Sequence, residues 1–267
     1  IFVQGVASVP QIQGNKIRFC RCSAIITTLN VDAYIVQNEI QICQIGVEIK
    51  NNKSKLFDNQ ITKSHTFGMK IIGDNNKTLS RPLIWRNRIE QCAHDGIIID
   101  GKHCEPDIKG NIIANNRKAG IKIQNQAIAY IGGSSKEDIE QLPDAAPRAA
   151  PVGLAMTQAA EMAQAGAPKL SVESIAALEA IHGESDQLDN KYFRNQMTKK
   201  YLMDYIDGTF RLSSFPNSNI IRYNYNQGIL IVEGSHATIY ANKIDANIRA
   251  NIALGGERTG RTKIKYN

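Results

Sequence analysis

The stretch NRIEQCAHDGIII, from Asn87 to Ile99, recurs 24 residues on as NIIANNRKAGIKI, from Asn111 to Ile123. Aligned, the two read Asn-x-Ile-x-x-(Cys/Asn)-x-x-x-Gly-Ile-x-Ile. The template also fits without a gap at Asn59, Ile61, Ser64, Gly68, Met69 and Ile71, and at Asn219, Ile221, Asn224, Gly228, Ile229 and Ile231. It fits at Asn242, Ile244, Asn247 and Ile252 with Asn251 in place of Gly. It fits more loosely at Asn15, Ile17, Cys20, Ala24 and Ile25. With one residue deleted it fits at Asn38, Ile40, Cys43, Gly46, Val47 and Ile49. The starts at 15, 38, 59, 87, 111, 219 and 242 are separated by 23, 21, 28, 24, 108 and 23 residues. Such periods mark arrays in which each unit buries its apolar face only against its neighbours.

The apolar residues come as short period-two pieces such as Gly-Ile-x-Ile, and the enriched type is Ile, which is β-branched. Helical repeats need a longer 3.6-residue pattern, and no leucine ladder is present. Units of 21 to 28 residues with two or three short strands and tight bends predict an all-β fold, a right-handed parallel β-helix of about eight coils. Ile17, Ile40, Ile61, Ile89, Ile113, Ile221 and Ile244 should stack as one buried column. Ile12, Ile35, Leu56, Ile84, Ile108 and Ile239 form a second apolar column, three residues before the Asn where that Asn is 15, 38, 59, 87, 111 or 242. The Gly column is expected to need positive φ, with Asn251 as the next most tolerant type. The Asn residues belong at bends, where stacked amides bond the backbone and each other. Cys20, Cys43 and Cys92 fall in the second Asn column and read as small buried thiols. Ile1-Phe2-Val3 and Ile264 both match positions inside a repeat, so the chain reads as a window on a longer solenoid or a larger protein.

The pattern breaks in the middle. The chain has 23 Asn, none of them from 126 to 189. The organisation expected is a β-helix over 1–133, an Ala/Pro-rich, largely helical insertion over 134–189, and a continuing β-helix over 190–267. LSVESIAALEAIHGES carries helix signals: Ser171 as N-cap, Glu173 in the first turn, Gly183 after the end. Asn190, Tyr192 and Asn195 make a weak further repeat match.

Over 1–133 and 209–267 the Gly-Ile-x-Ile and x-Pro-x-Ile-x-x-Asn-x-Ile-x-x-Asn pattern resembles the right-handed β-helix repeats of the pectate-lyase-like superfamily. It is most similar to those of β-helix F-box proteins and of periplasmic nitrous-oxide-reductase maturation proteins. The resemblance implies the fold. It leaves function open, because the same repeat serves sugar lyases, hydrolases, epimerases and interaction modules.

A sugar-active enzyme on this fold needs carboxylates gathered on one face, for Ca²⁺ or for acid–base work. The densest candidate cluster is His94, Asp95, Asp100, His103, Glu105 and Asp107, within one coil. Neighbouring coils place Phe67, Ala119, Gln227 and Ala250 where Asp95 stands. The Asn-Thr-Asp, Gly-His-Gly and Asp-Pro-His-Asp signatures of polygalacturonases and alginate epimerases are missing, and aromatics are only 6%. The sequence therefore points to a non-catalytic scaffold for protein interaction, with no cofactor and no metal. A polysaccharide lyase, hydrolase or epimerase, or the substrate-binding module of a ubiquitin ligase, is the alternative. Five Cys, an odd number without paired CxxC motifs, favour a reducing, cytoplasmic setting. Two glycosylation-type triplets, at Asn52 and Asn76, carry little weight in so Asn-rich a chain. Partners are expected to be other proteins of a larger assembly, cytoskeletal or ciliary by analogy, contacted through the 134–189 insertion and the solenoid faces. The net charge of +7 is spread along the chain. The basic group Arg258, Arg261, Lys263 and Lys265 lacks an aromatic platform, so nucleic acid is not expected. No apolar run is long enough to span a membrane.

Overall fold

The computed structural model describes residues 1–5, 8–73, 79–132, 218–256 and 262–265. Along them lie 23 strands, most only three or four residues long, taken in chain order three to a turn. The first turn holds β1 (Phe2–Gln4), β2 (Gln11–Gln13) and β3 (Lys16–Arg18). The second holds β4 (Ser23–Thr28), β5 (Tyr34–Val36) and β6 (Glu39–Gln41). The third holds β7 (Ile45–Lys50), β8 (Lys55–Phe57) and β9 (Gln60–Thr62). The fourth holds β10 (Met69–Ile72), β11 (Leu83–Trp85) and β12 (Arg88–Glu90). The fifth holds β13 (Ile97–Asp100), β14 (Asp107–Lys109) and β15 (Ile112–Ala114). The sixth holds β16 (Ile121–Gln124), β17 (Ile128–Gly132) and β18 (Ile220–Arg222). The seventh holds β19 (Ile229–Ile231), β20 (His236–Tyr240) and β21 (Lys243–Asp245). Two further strands follow, β22 (Ile252–Leu254) and β23 (Lys263–Lys265).

Each strand pairs, in parallel, with the strand three places along. Three sheets result. Sheet A runs from β1 to β22, sheet B from β2 to β23 and sheet C from β3 to β21. Seven complete turns and two strands of another stand beside the sequence expectation of about eight. Strands this short suffice because inter-turn backbone hydrogen bonds continue past the strands into the bends; Gln37, at a bend, donates to Phe57 O at 3.0 Å.

The alternation within each strand sorts the side chains. Ile17, Ile40, Ile61, Ile89, Ile113, Ile221 and Ile244 are register partners in sheet C. The five inner members are fully buried, while Ile17 and Ile244 pack partly exposed against the same core. The second column runs Ile12, Ile35, Leu56, Ile84, Ile108, Ile131, Ile239, Ile264 in sheet B. Ile131 joins it although no Asn follows three residues later, because the chain leaves the repeat just after Gly132.

The interruption is placed by the same register. Ile113 pairs with Ile221 and Ile123 with Ile231, so no turn intervenes between Asn111 and Asn219 in the stack. The chain divides into two compact units, Ile1–Ser134 with Phe193–Asn267, and Ser135–Tyr192. The expected 134–189 insertion with its helix near Ser171, and the weak match at Asn190, lie outside the described residues. The described residues contain no helix.

Two Asn ladders hold the bends. At the bend from sheet B to sheet C, Asn15, Asn38, Asn59, Asn87, Asn111, Asn219 and Asn242 stack. Asn38 donates its amide N–H to Asn59 Oδ1 at 2.9 Å and to Ile12 O of the preceding turn at 2.8 Å. Its backbone N–H reaches the same Asn59 oxygen at 3.0 Å. One amide thus joins three turns. At the bend from sheet C to sheet A, Asn116, Asn224 and Asn247 repeat the pattern, and Cys92 enters it through its backbone N–H.

The glycine column corrects one expectation. Positive φ falls not on Gly46, Gly68, Gly96, Gly120 or Gly228 but on the residue before many of the ladder positions, among them Gln37, Asp58, Arg86 and Gly110 at one bend and Ile42, Gln91, Asn115 and Tyr223 at the other. The column glycines are needed because the next turn comes too close. A Cβ on Gly96 would lie 2.7 Å from Gly120 O and 2.8 Å from Ile113 Cγ2. Asn251 is exposed, with no described turn stacked on it, so its side chain has room. Ala24 fills the column in the second turn, where β4 already runs through it.

Candidate functional site

The structure separates the charged cluster singled out from the sequence. His94 and Asp95 sit in the bend before β13, whereas Asp100 ends that strand. The strand between them sets their Cα atoms up to about 16 Å apart, at its two ends. His103 and Glu105 belong to the following bend, near Asp100 rather than Asp95, and Asp107 points outward from β14. Asp95 is buried, and its Oδ1 accepts the Ala119 backbone N–H at 2.8 Å, joining its turn to the next. Burial pushes its carboxyl above the usual range, against that hydrogen bond and the charges of Lys122 and Lys118. His94 packs edge-on to Phe67 at 5.7 Å, and burial with the Lys118 charge holds it below its ordinary value. Asp100 Oδ1 accepts the Asn125 amide at 2.6 Å. Among the described residues, no group of three or more His, Cys, Asp or Glu is arranged to hold a metal ion.

What the structure does bring together is a row of rings. The outward positions of sheet B flank the buried Ile column on both sides. On one side, register aligns Tyr34, Lys55, Leu83, Asp107, Tyr130, Thr238 and Lys263. On the other it aligns Val36, Phe57, Trp85, Lys109, Gly132, Tyr240 and Lys265. Five rings therefore share one face, although in sequence they spread from 34 to 240. Phe57 and Trp85 meet edge to face at 6.4 Å, with Trp85 buried between Phe57 and Lys109 in register. Lys55 lies over the Tyr34 ring, its Nζ 4.7 Å from the centroid and 2.8 Å from the hydroxyl. Tyr130 and Tyr240 are 38% and 36% exposed, high for large side chains in mid-sheet. The Tyr240 ring lies over Gly132, where a Cβ would come within 2.3 Å of it. Lys109 pairs with Asp107 at 3.1 Å beside them.

The other two faces differ. Sheet A carries Glu48, whose carboxyl accepts from Ser23 at 2.7 Å and pairs with Lys50 at 3.0 Å. Burial pushes that carboxyl up, but the Ser23 hydrogen bond and the Lys50 and Lys70 charges outweigh it, leaving it below its usual range. On sheet C the outward Arg88, Glu90, Ile112 and Ala114 are themselves buried. Arg88 Nε donates to Glu90 Oε2 at 2.7 Å, and Ile112 and Ala114 form a small second apolar cluster with Tyr223.

The curated proteins and the solved structures gave no match to the chain. Residues 1–137 match the family model described as the right-handed β-helix region. That span is just over half of the chain and covers its first five turns, so with the parallel three-sheet solenoid described above it shows that this chain belongs to the right-handed β-helix family.

Proposed function

We propose that this protein is a non-catalytic scaffold, a rigid solenoid that docks onto another protein of a larger assembly through the outer face of sheet B. The observation that carries the proposal is the gathering on that one face of the exposed Tyr130 and Tyr240 and the partly exposed Tyr34 and Phe57, with the buried Trp85 packed beneath them. Tyr and Trp supply large contact areas at small entropic cost, and they dominate the energetic centres of protein interfaces. The stacked backbone holds them in fixed positions, so little ordering remains to be done on binding. Lys55, Asp107 and Lys109 supply a polar rim. The five free cysteines support a reducing compartment, and the flat faces of a stacked solenoid suit a cytoskeletal or ciliary assembly.

Site-specific photo-crosslinking tests this. With the photoreactive residue at Tyr130, the native assembly should yield one defined protein adduct; at Gln124 on sheet A it should yield none. Tyr130→Ala with Tyr240→Ala should weaken the purified complex at least tenfold, the scale of one or two hot-spot residues. If the double variant binds that protein as well as the parent, the docking face is wrong. The competing reading, a sugar-active protein, is supported by the fold family and by the same rings, which can stack on sugars. Pectate, alginate or polygalacturonate cleavage abolished by Asp95→Ala or Asp100→Ala would favour it over the scaffold.

A further inference from the structure

We propose that Cys20 and Cys43 form an oxidation site, at which hydrogen peroxide joins the two thiols into a disulfide that staples two adjacent turns of the solenoid. The two residues hold the same ladder position one turn apart. Arg18 pairs with Gln41 just before them, and Gln44 N–H donates to Cys20 O at 2.9 Å just after. Their Cα atoms are therefore one inter-strand step apart, about 4.8 Å, inside the range of about 4.4–6.8 Å that a disulfide spans. The thiols also point alike. Cys43 Sγ lies 3.3 Å from Gln41 O, and Cys20 Sγ lies 3.9 Å from the equivalent Arg18 O. Cys43 Sγ further reaches back to Ile17 O of the preceding turn at 4.0 Å. This is the route the Asn amides take, as when Asn224 donates to Ile113 O. Where Asn116 and Asn224 occupy successive turns of this column, their side chains meet at 3.0 Å.

No other pair of cysteines in the chain is so placed. The register neighbours of Cys92 are Ser64 and Asn116, Cys104 is bridged to Ser80, and Cys22, just before the Ser23–Ile45 pair, falls outside the ladder column. The exposures set the order of events. Cys20 is partly exposed and Cys43 is buried. Of the pair, Cys20 meets peroxide first; its sulfur attacks the O–O bond, which breaks to give a sulfenic acid and one water. Cys43 sulfur then attacks the sulfenic sulfur, the S–S bond forms, and the hydroxyl leaves with the Cys43 proton as a second water. Both thiols are oxidised and one peroxide is reduced. Burial pushes the Cys43 thiol up to about 11, so the second step should quicken as pH rises above neutrality. In-register Cβ atoms start slightly farther apart than a relaxed disulfide holds them, and strain of that kind makes a disulfide easy to reduce. The staple should open again with a mild thiol reductant.

Peptide mapping of the full chain after hydrogen peroxide treatment is the test. The expected result is a Cys20–Cys43 cross-linked pair with loss of two hydrogen atoms, undone by dithiothreitol and unaffected by Cys22→Ser. In Cys43→Ser the cross-link should be lost and dimedone should instead trap a sulfenic acid on Cys20. Cys43→Asn, which supplies the ladder's own amide, repeats that test if the serine variant folds poorly. A disulfide involving Cys22, or Cys20 oxidised past sulfenic acid in the parent without any cross-link, would overturn the proposal.

Discussion

Gly96→Ala puts the column glycines to a quantitative test. The added Cβ would stand 2.7 Å from Gly120 O and from Asn116 Nδ2, and 2.8 Å from Ile113 Cγ2. An ordinary C···O contact is about 3.3 Å, so the two turns must part locally by about 0.6 Å. Two inter-turn hydrogen bonds cross at that point, Gly96 N–H to Ala119 O at 3.0 Å and Ile97 N–H to Gly120 O at 2.9 Å. Stretched by that amount, both reach the limit of useful geometry. Their loss costs about 0.5–1.5 kcal/mol each, and repacking around Ile113 adds roughly 1–2 kcal/mol. The sum is about 2–5 kcal/mol. With a urea m-value near 3 kcal/mol/M, the midpoint should fall by about 0.7–1.7 M. Circular dichroism and Trp85 fluorescence should report the same shift, since the sole Trp sits one turn away. Gly14 is the control, because it has φ +67° and nothing within 4 Å of the place an added Cβ would take. Gly14→Ala should cost only about 1–2 kcal/mol, and Gly14→Asn less. Gly96→Asn should be no milder than Gly96→Ala. If Asn rescues position 96, backbone conformation and not the closeness of the turns selects glycine there.

Three further outcomes follow from the core and the ladders. Ile113→Ala, in the fully buried column, should cost about 2–5 kcal/mol in urea unfolding, and Ile17→Ala, partly exposed, clearly less. Asn111→Ala would leave the backbone and side-chain donors of Asn87 without the Asn111 Oδ1 they now share at 2.9 and 3.1 Å. At about 1–3 kcal/mol per unsatisfied group, it should lower the thermal midpoint far more than Asn125→Ala at the exposed bend. Asp95→Asn should keep the acceptor for Ala119 N–H while removing a carboxyl whose folded-state value is raised. An acid raised by folding binds protons more tightly folded than unfolded, so its penalty appears as pH climbs past the unfolded value and is absent below it. The variant should therefore gain on the parent at neutral pH and lose that advantage near pH 3, as urea midpoints across that range will tell.

Much of the fold was legible because a solenoid writes its register into one dimension. Each Ile of the sheet C column follows its Asn at a fixed offset, so counting along the chain was enough to place Ile89 beside Ile113, and even Ile113 beside Ile221 across the long interruption. The role of the glycines was not legible, for a physical reason. A one-dimensional pattern reports that a side chain is excluded, and both positive φ and a close neighbour exclude one. Only the position of the next turn separates them, and it shows that residues as large as Ile42 and Tyr223 take the left-handed conformation while the column glycines do not.

The faces were harder to read for a related reason. Within a strand, the sequence tells inside from outside, and Tyr34, Trp85 and Tyr130 each stand plainly beside a buried residue. What these outward positions add up to depends on collapsing unequal spacings onto one lattice. Tyr130 and Tyr240 are 110 residues apart in sequence yet lie on adjacent strands, displaced by two positions in register. Counted as composition, 6% aromatics looked too few to matter. The same arithmetic divides the charged cluster, with His94 and Asp95 before β13 and Asp100, His103 and Glu105 at its far end. His94, Asp95, Asp100, His103 and Glu105 are close neighbours in sequence, but the extended strand β13 carries the chain across a whole sheet between Asp95 and Asp100. In a β-helix, proximity along the chain measures distance around a turn, and proximity in column measures distance along the axis. A surface built across turns is therefore assembled from residues that the sequence keeps far apart.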